Sequence, residues 1–249
     1  MPPPPAAPAE MAPTAAIAMP RIHPPLERPI RVGALVGAIL AGGEGRRLGP
    51  GVEKPFRHLS GTPLIEHAMA RLRPQVAGLV ISTHGDAARF SRLGVPVVSD
   101  SVAADADGRR PGPLAGVLAA MEWARQAHPF SPWLLTVPVD VPFLPLDLTA
   151  YLAGHMHVPE ADILSVRYRG RVHHAIAVWS TELLPALRKA VMEEGARSIE
   201  RFAAGHNTSV FDWPRRRGDP FLNINTPADW ARAEAIARAE AAGASRGAS

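Results

Sequence analysis

Val36-Gly-Ala-Ile-Leu-Ala-Gly-Gly-Glu-Gly-Arg-Arg-Leu-Gly-Pro-Gly-Val-Glu-Lys-Pro55 runs from an apolar, strand-like segment, Val36–Leu40, straight into a glycine-rich loop carrying Arg46, Arg47 and Lys54. Glycines let backbone N–H groups approach a polyphosphate closely, and side-chain cations neutralise charge that amides alone cannot. The stretch therefore reads as a phosphate-gripping loop at the end of a strand. It fits neither of the two commonest loops of that kind. A Walker A loop continues Gly-Lys-Ser/Thr into a helix, whereas Lys54 is followed by Pro55, and a dinucleotide fingerprint needs a third glycine where Leu48 stands.

On either side of the loop, short apolar runs alternate with amphipathic ones. The runs predict strands at Ala34–Leu40, Gly78–Thr83, Val95–Ser99, Trp133–Val137, Ile163–Arg167, Ala175–Trp179, Ser209–Asp212 and Phe221–Asn223. Helices are expected at Leu64–Arg73, where Thr62 caps, Pro63 takes the first turn and Pro74 stops the run, and at Ala87–Leu93 and Leu114–Ala127. Others are expected at Leu146–Met156, Thr181–Glu194, Ser198–Ala204 and Pro227–Ala241. Such alternation implies one three-layer α/β/α domain around a mainly parallel, twisted sheet, with ligands bound beyond the carboxyl ends of the strands. The domain is expected to span residues 33–242, between a Pro/Ala-rich extension, 1–32, and a tail, 243–249, both read as disordered.

Composition narrows the function classes. The chain has 249 residues, 47% of them hydrophobic, which is enough for a sizeable core. It has no cysteine, so disulfides, thiolate catalysis and cysteine-ligated metal are excluded, and a reducing cytoplasm suits it. The apolar runs fall far short of the roughly 20 residues that span a bilayer, so no membrane role is expected. A net charge of +4 carries no nucleic-acid motif with it, and its densest cluster, Arg215-Arg-Arg217, reads as a surface loop. Of the 27 basic residues only Lys54 and Lys189 are lysines. A lysine inside the loop of so arginine-biased a chain points to a need for a compact point charge there.

Asp100 and Asp140 fall just past predicted strands, as the loop does, and would converge with it. Mg²⁺ takes oxygen ligands and keeps several waters, so one or two carboxylates with phosphate oxygens make a sufficient site. Asp140 is the first candidate ligand, the alternative being a turn aspartate before Pro142, and Asp100 alternatively caps the following loop. Gly112-Pro113-Leu114 opens a predicted helix whose N-terminus favours anions, or merely packs a helix start. His155 with His157, and His173 with His174, lack the further ligands of a zinc site. The five tryptophans read as core or subunit contacts.

The pattern Leu40-Ala41-Gly42-Gly43, Arg47, Gly49 and Lys54 resembles the signature loop of nucleotidyltransferases with a Rossmann-like, nucleotide-diphospho-sugar transferase-like fold. Gly61–His67, Pro96–Asp100, Gly112–Gly116, Pro138–Pro145 and Asn223–Pro227 follow in the order seen in the molybdenum cofactor guanylyltransferase (MobA) family, over about Val36 to Ala233. The resemblance implies transfer of GMP from GTP to molybdenum-molybdopterin with release of pyrophosphate, Mg²⁺ as cofactor, and contact with molybdenum cofactor synthesis or delivery proteins. It implies that Arg47, Lys54 and Asp140 act in catalysis, Asp140 also holding the metal. Leu40, Ala41, Gly42, Gly43, Lys54, Ser82, Asp100 and Asp140 would bind nucleotide, with the amides of Ala41–Gly43 lining it. Gly112, Pro113, Leu114, His173 and Asn225 would bind substrate, His173 alternatively being structural and Asn225 part of a helix start. Where the family has Asn-x-Asn after the second strand, this chain has Ser82-Thr83-His84, and Glu53 and Leu48 also depart from the usual residues. These differences bear on base preference more than on reaction class. The alternatives are another nucleotidyltransferase, adding cytidylate to molybdopterin or activating a sugar or polyol phosphate, and a non-catalytic nucleotide-binding delivery protein. Oligomeric state is not legible.

Overall fold

Val36–Leu40 forms β1 near the middle of a seven-stranded sheet in the computed structural model, which describes residues 35–43, 53–100, 112–155, 161–215 and 218–247. Leu35 and Ile39 face one apolar cluster, Val36 and Ala38 the other, and all four are fully buried. A strand covered on both faces reads as an unbroken apolar run, which is what the sequence shows. Gly37 is glycine because a Cβ there would meet the side chains of Val76 at 3.1 Å and Leu72 at 3.2 Å.

The strand order is β5 (Val97–Ser99), β4 (Gly78–Thr83), β1, β6 (Trp133–Pro138), β8 (Arg171–Ser180), β7 (Ile163–Tyr168), β9 (Thr208–Asp212). The first four are parallel, β8 runs antiparallel to both neighbours, and β9 is parallel to β7. Helices α1 (Leu64–Leu72), α3 (Leu148–His155) and α6 (Pro227–Gly247) contribute to the cluster on one face. On the other face lie α2 (Pro113–Ala127), α4 (Leu184–Met192) and α5 (Ile199–Ala204). The three-layer α/β/α domain with a mostly parallel sheet is therefore present.

Several elements differ from expectation. β7 and β8 are a hairpin turning on Arg169 and Gly170, both at positive φ (51° and 81°), a geometry typical of two-residue hairpins. The pairing shifts between Ser165 and Val166, so His174, Ala175 and Ile176 bulge from the ladder. Thr62 and Pro63 do not cap and open a helix. They form a short strand, β3, paired with β2 (His58–Leu59) around Ser60 and Gly61, and no side chain caps α1. Ala87–Leu93 is 3₁₀ rather than α, and Thr181–Leu183 is a 3₁₀ turn ahead of α4. The strand expected at Phe221–Asn223 does not form. Asp219 instead ties this segment into a turn, its carboxylate accepting from the Phe221 N–H and its carbonyl from that of Leu222. α6 runs past Ala241 to Gly247, into the segment read as a tail. The 1–32 extension and Arg47 lie outside the described residues.

Candidate active site

Beyond the carboxyl ends of the parallel strands lies a cavity of about 340 Å³. Leu40, Gly42 and Gly43 form its edge at β1, Pro138, Val139 and Asp140 at β6, and Ser82, His84 and Asp100 at β4 and β5. Gly112, Pro113 and Gly116 bring in the start of α2, and Ala175 enters from the β8 bulge. The Thr136 hydroxyl donates to the Ala175 carbonyl at 3.0 Å while accepting from Trp179 Nε1 at 2.9 Å, which secures the bulge against β6.

Lys54 is the centre of one end. It is only 4% exposed, yet its ammonium donates to Asp140 Oδ2 at 2.5 Å and to Asn225 Oδ1 at 2.6 Å. Burying an ammonium is costly unless it is paired and hydrogen-bonded, and here it is both. An ammonium has three donors, so one remains for an anion in the cavity. Asp140 Oδ1 is buried and has no hydrogen-bond partner.

Three elements set this arrangement. Pro55 helps hold Lys54–Phe56 in a 3₁₀ turn; the Phe56 ring packs at 4.9 Å from that of Phe90, and the Arg57 guanidinium lies 4.0 Å above the Trp230 ring of α6. The Ser60 N–H and hydroxyl reach Glu234, also on α6. At the head of α6, Asp229 Oδ2 accepts from the N–H groups of Asn225 and Thr226 and from the Thr226 hydroxyl, which in turn accepts from the Asp229 N–H. This is a capping box in which Thr226 and a residue three positions on satisfy each other's backbone. Although burial pushes the Asp229 carboxyl up, these hydrogen bonds hold it below its ordinary range. Asn225 Nδ2 donates to Asn223 Oδ1 at 2.6 Å, which joins the two asparagines without a strand between them. The Ile224 N–H donates to the Asp140 carbonyl and fastens this segment to the end of β6.

At the other end, His84 Nδ1 lies 2.6 Å from Asp100 Oδ1. Ser82 Oγ is buried without a hydrogen-bond partner. A Cβ on Gly116 would stand 3.0 Å from that oxygen, so the glycine is needed for α2 to lie this close to β4. Gly112 has φ 73°, and a Cβ there would meet the Arg197 carbonyl at 3.0 Å.

The cavity thus gathers Leu40, Gly42, Gly43, Lys54, Ser82, Asp100, Gly112, Pro113 and Asp140, all singled out from sequence, and Lys54 brings Asn225 to it. Three of the residues expected at the site stand apart from its lining. The Ala41 N–H is spent on the Ser82 carbonyl at 2.7 Å and cannot serve a nucleotide. Leu114 is fully buried in the core beneath α2, and its N–H goes to the Arg197 carbonyl, so it does not line the cavity. His173 does not line it either. Its ring packs against Phe221 at 5.3 Å, and burial, then Arg171 and His174, favour its neutral form although Asp219 opposes them. His84 and Ala175 line the cavity but were not singled out. The histidine stood in view as a departure from Asn-x-Asn, whereas a bulge leaves no periodic trace.

The model of the MobA-like NTP transferase domain matches residues 37–210. A molybdenum cofactor guanylyltransferase of Rhodopseudomonas palustris (strain BisB5) is 41% identical over 204 residues, covering 82% of this chain and 94% of that protein. One from Acidiphilium cryptum is 41% identical over 201 residues, covering 81% and 94%. Among solved structures, molybdopterin-guanine dinucleotide biosynthesis protein A of Archaeoglobus fulgidus superposes with a TM-score of 0.63 at 24% identity, covering 82% of this chain and 98% of that one. The 2-C-methyl-D-erythritol 4-phosphate cytidylyltransferase of Thermus thermophilus gives a TM-score of 0.55 at 18% identity, over 81% and 98%. These last two likenesses concern the fold.

Proposed function

Because the chain belongs to the MobA-like NTP transferase family, in its molybdenum cofactor guanylyltransferase branch, we propose that it transfers GMP from GTP to molybdenum-bound molybdopterin and releases pyrophosphate. The observation that carries this reading is the Lys54, Asp140 and Asn225 cluster at one end of a cavity floored by a glycine-rich strand end. An oxygen of the terminal phosphate on the pterin attacks the α-phosphorus of GTP. The bond from that phosphorus to the oxygen bridging to the β-phosphate breaks, and pyrophosphate leaves with the electron pair.

A phosphate nucleophile is already ionised near neutral pH, so no general base is required and positioning with charge stabilisation suffices. The free donor of Lys54 meets a phosphate oxygen in a charge-assisted bond of a kind worth about 1.5–3 kcal/mol. Gly42 and Gly43 let the triphosphate lie against the main chain. Ser82 and Asp100 belong to the nucleoside end, and Arg47 adds a cation from the loop. Gly112 and Pro113 set the α2 wall that the pterin passes.

The donor set suits Mg²⁺. The unpartnered Oδ1 of Asp140 and the amide oxygen of Asn225 are hard ligands, the kind this ion takes together with waters and phosphate oxygens. Asp140 would hold it, with Asn225 in reach; the bound ion would neutralise charge developing on the phosphates. A cysteine-free chain suits reaction in the cytoplasm, beside the proteins that supply and receive the cofactor.

The test is pyrophosphate release from each of four nucleoside triphosphates, with and without molybdenum-loaded molybdopterin and Mg²⁺. Release that needs GTP, the pterin and Mg²⁺ together is the expected result. Release with CTP alone overturns the guanylyl assignment and leaves nucleotidyl transfer standing, whereas no release with any nucleotide makes the chain a binding or delivery protein.

A further inference from the structure

Resting on the guanylyl-transfer reading and going beyond it, we propose that His84 reads a hydrogen-bond donor of the nucleoside, and that Asp100 is the positioning residue that aims its ring. The sheet order separates the two ends of the cavity. β4 and β6 flank β1, and neighbouring strands lie about 4.8 Å apart, so the His84 end of the cavity stands about 10 Å from the Asp140 end. With the phosphates held at Lys54 and Asp140, the nucleoside extends along the cavity toward β4 and β5.

The side chains at that end are those of Ser82, His84 and Asp100, beside Gly42, Gly43, Pro113 and Gly116. His84 is the longest polar one. The Ser82 hydroxyl is short and packs where α2 passes at Gly116. Asp100 presents Oδ1 to the imidazole at 2.6 Å, not to open space. Gly42 lies directly against the histidine, since a Cβ there would be in ordinary contact, 3.4 Å, with the Cβ and N of His84. The imidazole thus stands beside the glycine-rich strand end with one nitrogen engaged.

A carboxylate only accepts, so Nδ1 donates to Asp100, and Nε2 of an uncharged imidazole held this way is an acceptor. No other described residue hydrogen-bonds Nε2. An acceptor suits the ring N–H and amino group of guanine, or a ribose hydroxyl. It does not suit the unprotonated ring nitrogen that adenine and cytosine present on the corresponding edge. A site built around one such bond rejects a base that leaves its polar group unpaired.

The test measures Kd by calorimetry on the full chain with GTP, ITP, ATP, CTP, 2′-deoxy-GTP and 3′-deoxy-GTP, together with KM and kcat for guanylyl transfer. His84→Ala is expected to raise the Kd for GTP about tenfold and to flatten the preference over ATP and CTP, while kcat at saturating GTP falls far less. His84→Gln, whose amide oxygen reaches a similar distance, restores most of the affinity. Asp100→Ala weakens GTP binding in the native background and adds little on top of His84→Ala, the pattern of two residues acting as one. If the His84→Ala penalty persists with both deoxynucleotides, the donor read is on the base; if it vanishes with one of them, it is that ribose hydroxyl. A folded His84→Ala protein that binds GTP as the native chain does, in a native chain that transfers guanylate, overturns this inference alone. A native chain that binds no GTP overturns the guanylyl-transfer reading and this inference with it.

Discussion

Lys54 shows how little of a residue's role depends on its neighbours in sequence. Its ammonium is held by Asp140 and by Asn225, the latter 171 residues away, and with two donors spent it keeps a single direction for a phosphate. Asp140→Asn should leave an oxygen that still accepts from Lys54, so Tm is expected to fall by no more than about 5 °C. It removes the charge opposite both the ammonium and any cation, so kcat for pyrophosphate release is expected to fall at least about a hundredfold. Stopped-assay turnover beside a melting curve checks both, and near-native turnover would remove Asp140 from the mechanism. Lys54 and Asp140 were legible because each follows an apolar run that could only be a buried strand or its loop. Ala41 was legible as part of the loop but not as a residue whose N–H is already committed to Ser82, because that bond depends on how β1 lies beside β4.

The elements that carry the site are held by their ends. At the head of α6, Asp229 closes the capping box and also receives the Asn225 N–H, so Asp229→Ala is expected to cost about 1 kcal/mol in urea titration and to lower the affinity for GTP. Its carboxyl is held below the ordinary range in the folded chain. The stabilisation it gives is therefore full above its unfolded pKa, about 3.9, and disappears as pH falls through the lower folded value. The stability gap between native and Asp229→Ala chains should accordingly be constant from pH 6 to about 5 and close below about pH 4. A gap that instead widens in acid would contradict this. At the head of α2, Gly112→Ala forces a left-handed backbone position and a contact of 3.0 Å with the Arg197 main chain. It should destabilise by about 1–3 kcal/mol, seen as a lower melting temperature. Helix α2 was readable from its periodicity; the β7–β8 hairpin was not read, although Arg169-Gly170 between two apolar runs is a turn of the right length.

For the molecule as a whole, binding and stability are linked because the segment that brings Lys54 to the cavity rests on the last helix. The segment from Lys54 to Ser60 leans on α6, through Trp230 and Glu234, and Arg71 of α1 pairs with Glu240 further along it. GTP with Mg²⁺ at about a hundred times Kd should stabilise the fold by about 2.7 kcal/mol, a rise of roughly 5–10 °C in Tm, with ATP giving clearly less. Equal shifts from all four nucleotides would deny base selection. The sequence by itself determined the α/β alternation, the glycine-rich loop at a strand end, and the placing of Asp100 and Asp140 beyond their strands. These follow from local periodicity and turn chemistry, which each segment carries within itself. Only the tertiary structure decided that β8 reverses direction between β6 and β7, that Asn225 completes the Lys54 cluster, that His84 takes Asp100 as its partner, and that Leu114 and His173 turn away from the cavity. Each of those rests on contacts between residues far apart in the chain, and such contacts are set by how the layers pack rather than by any pattern along it.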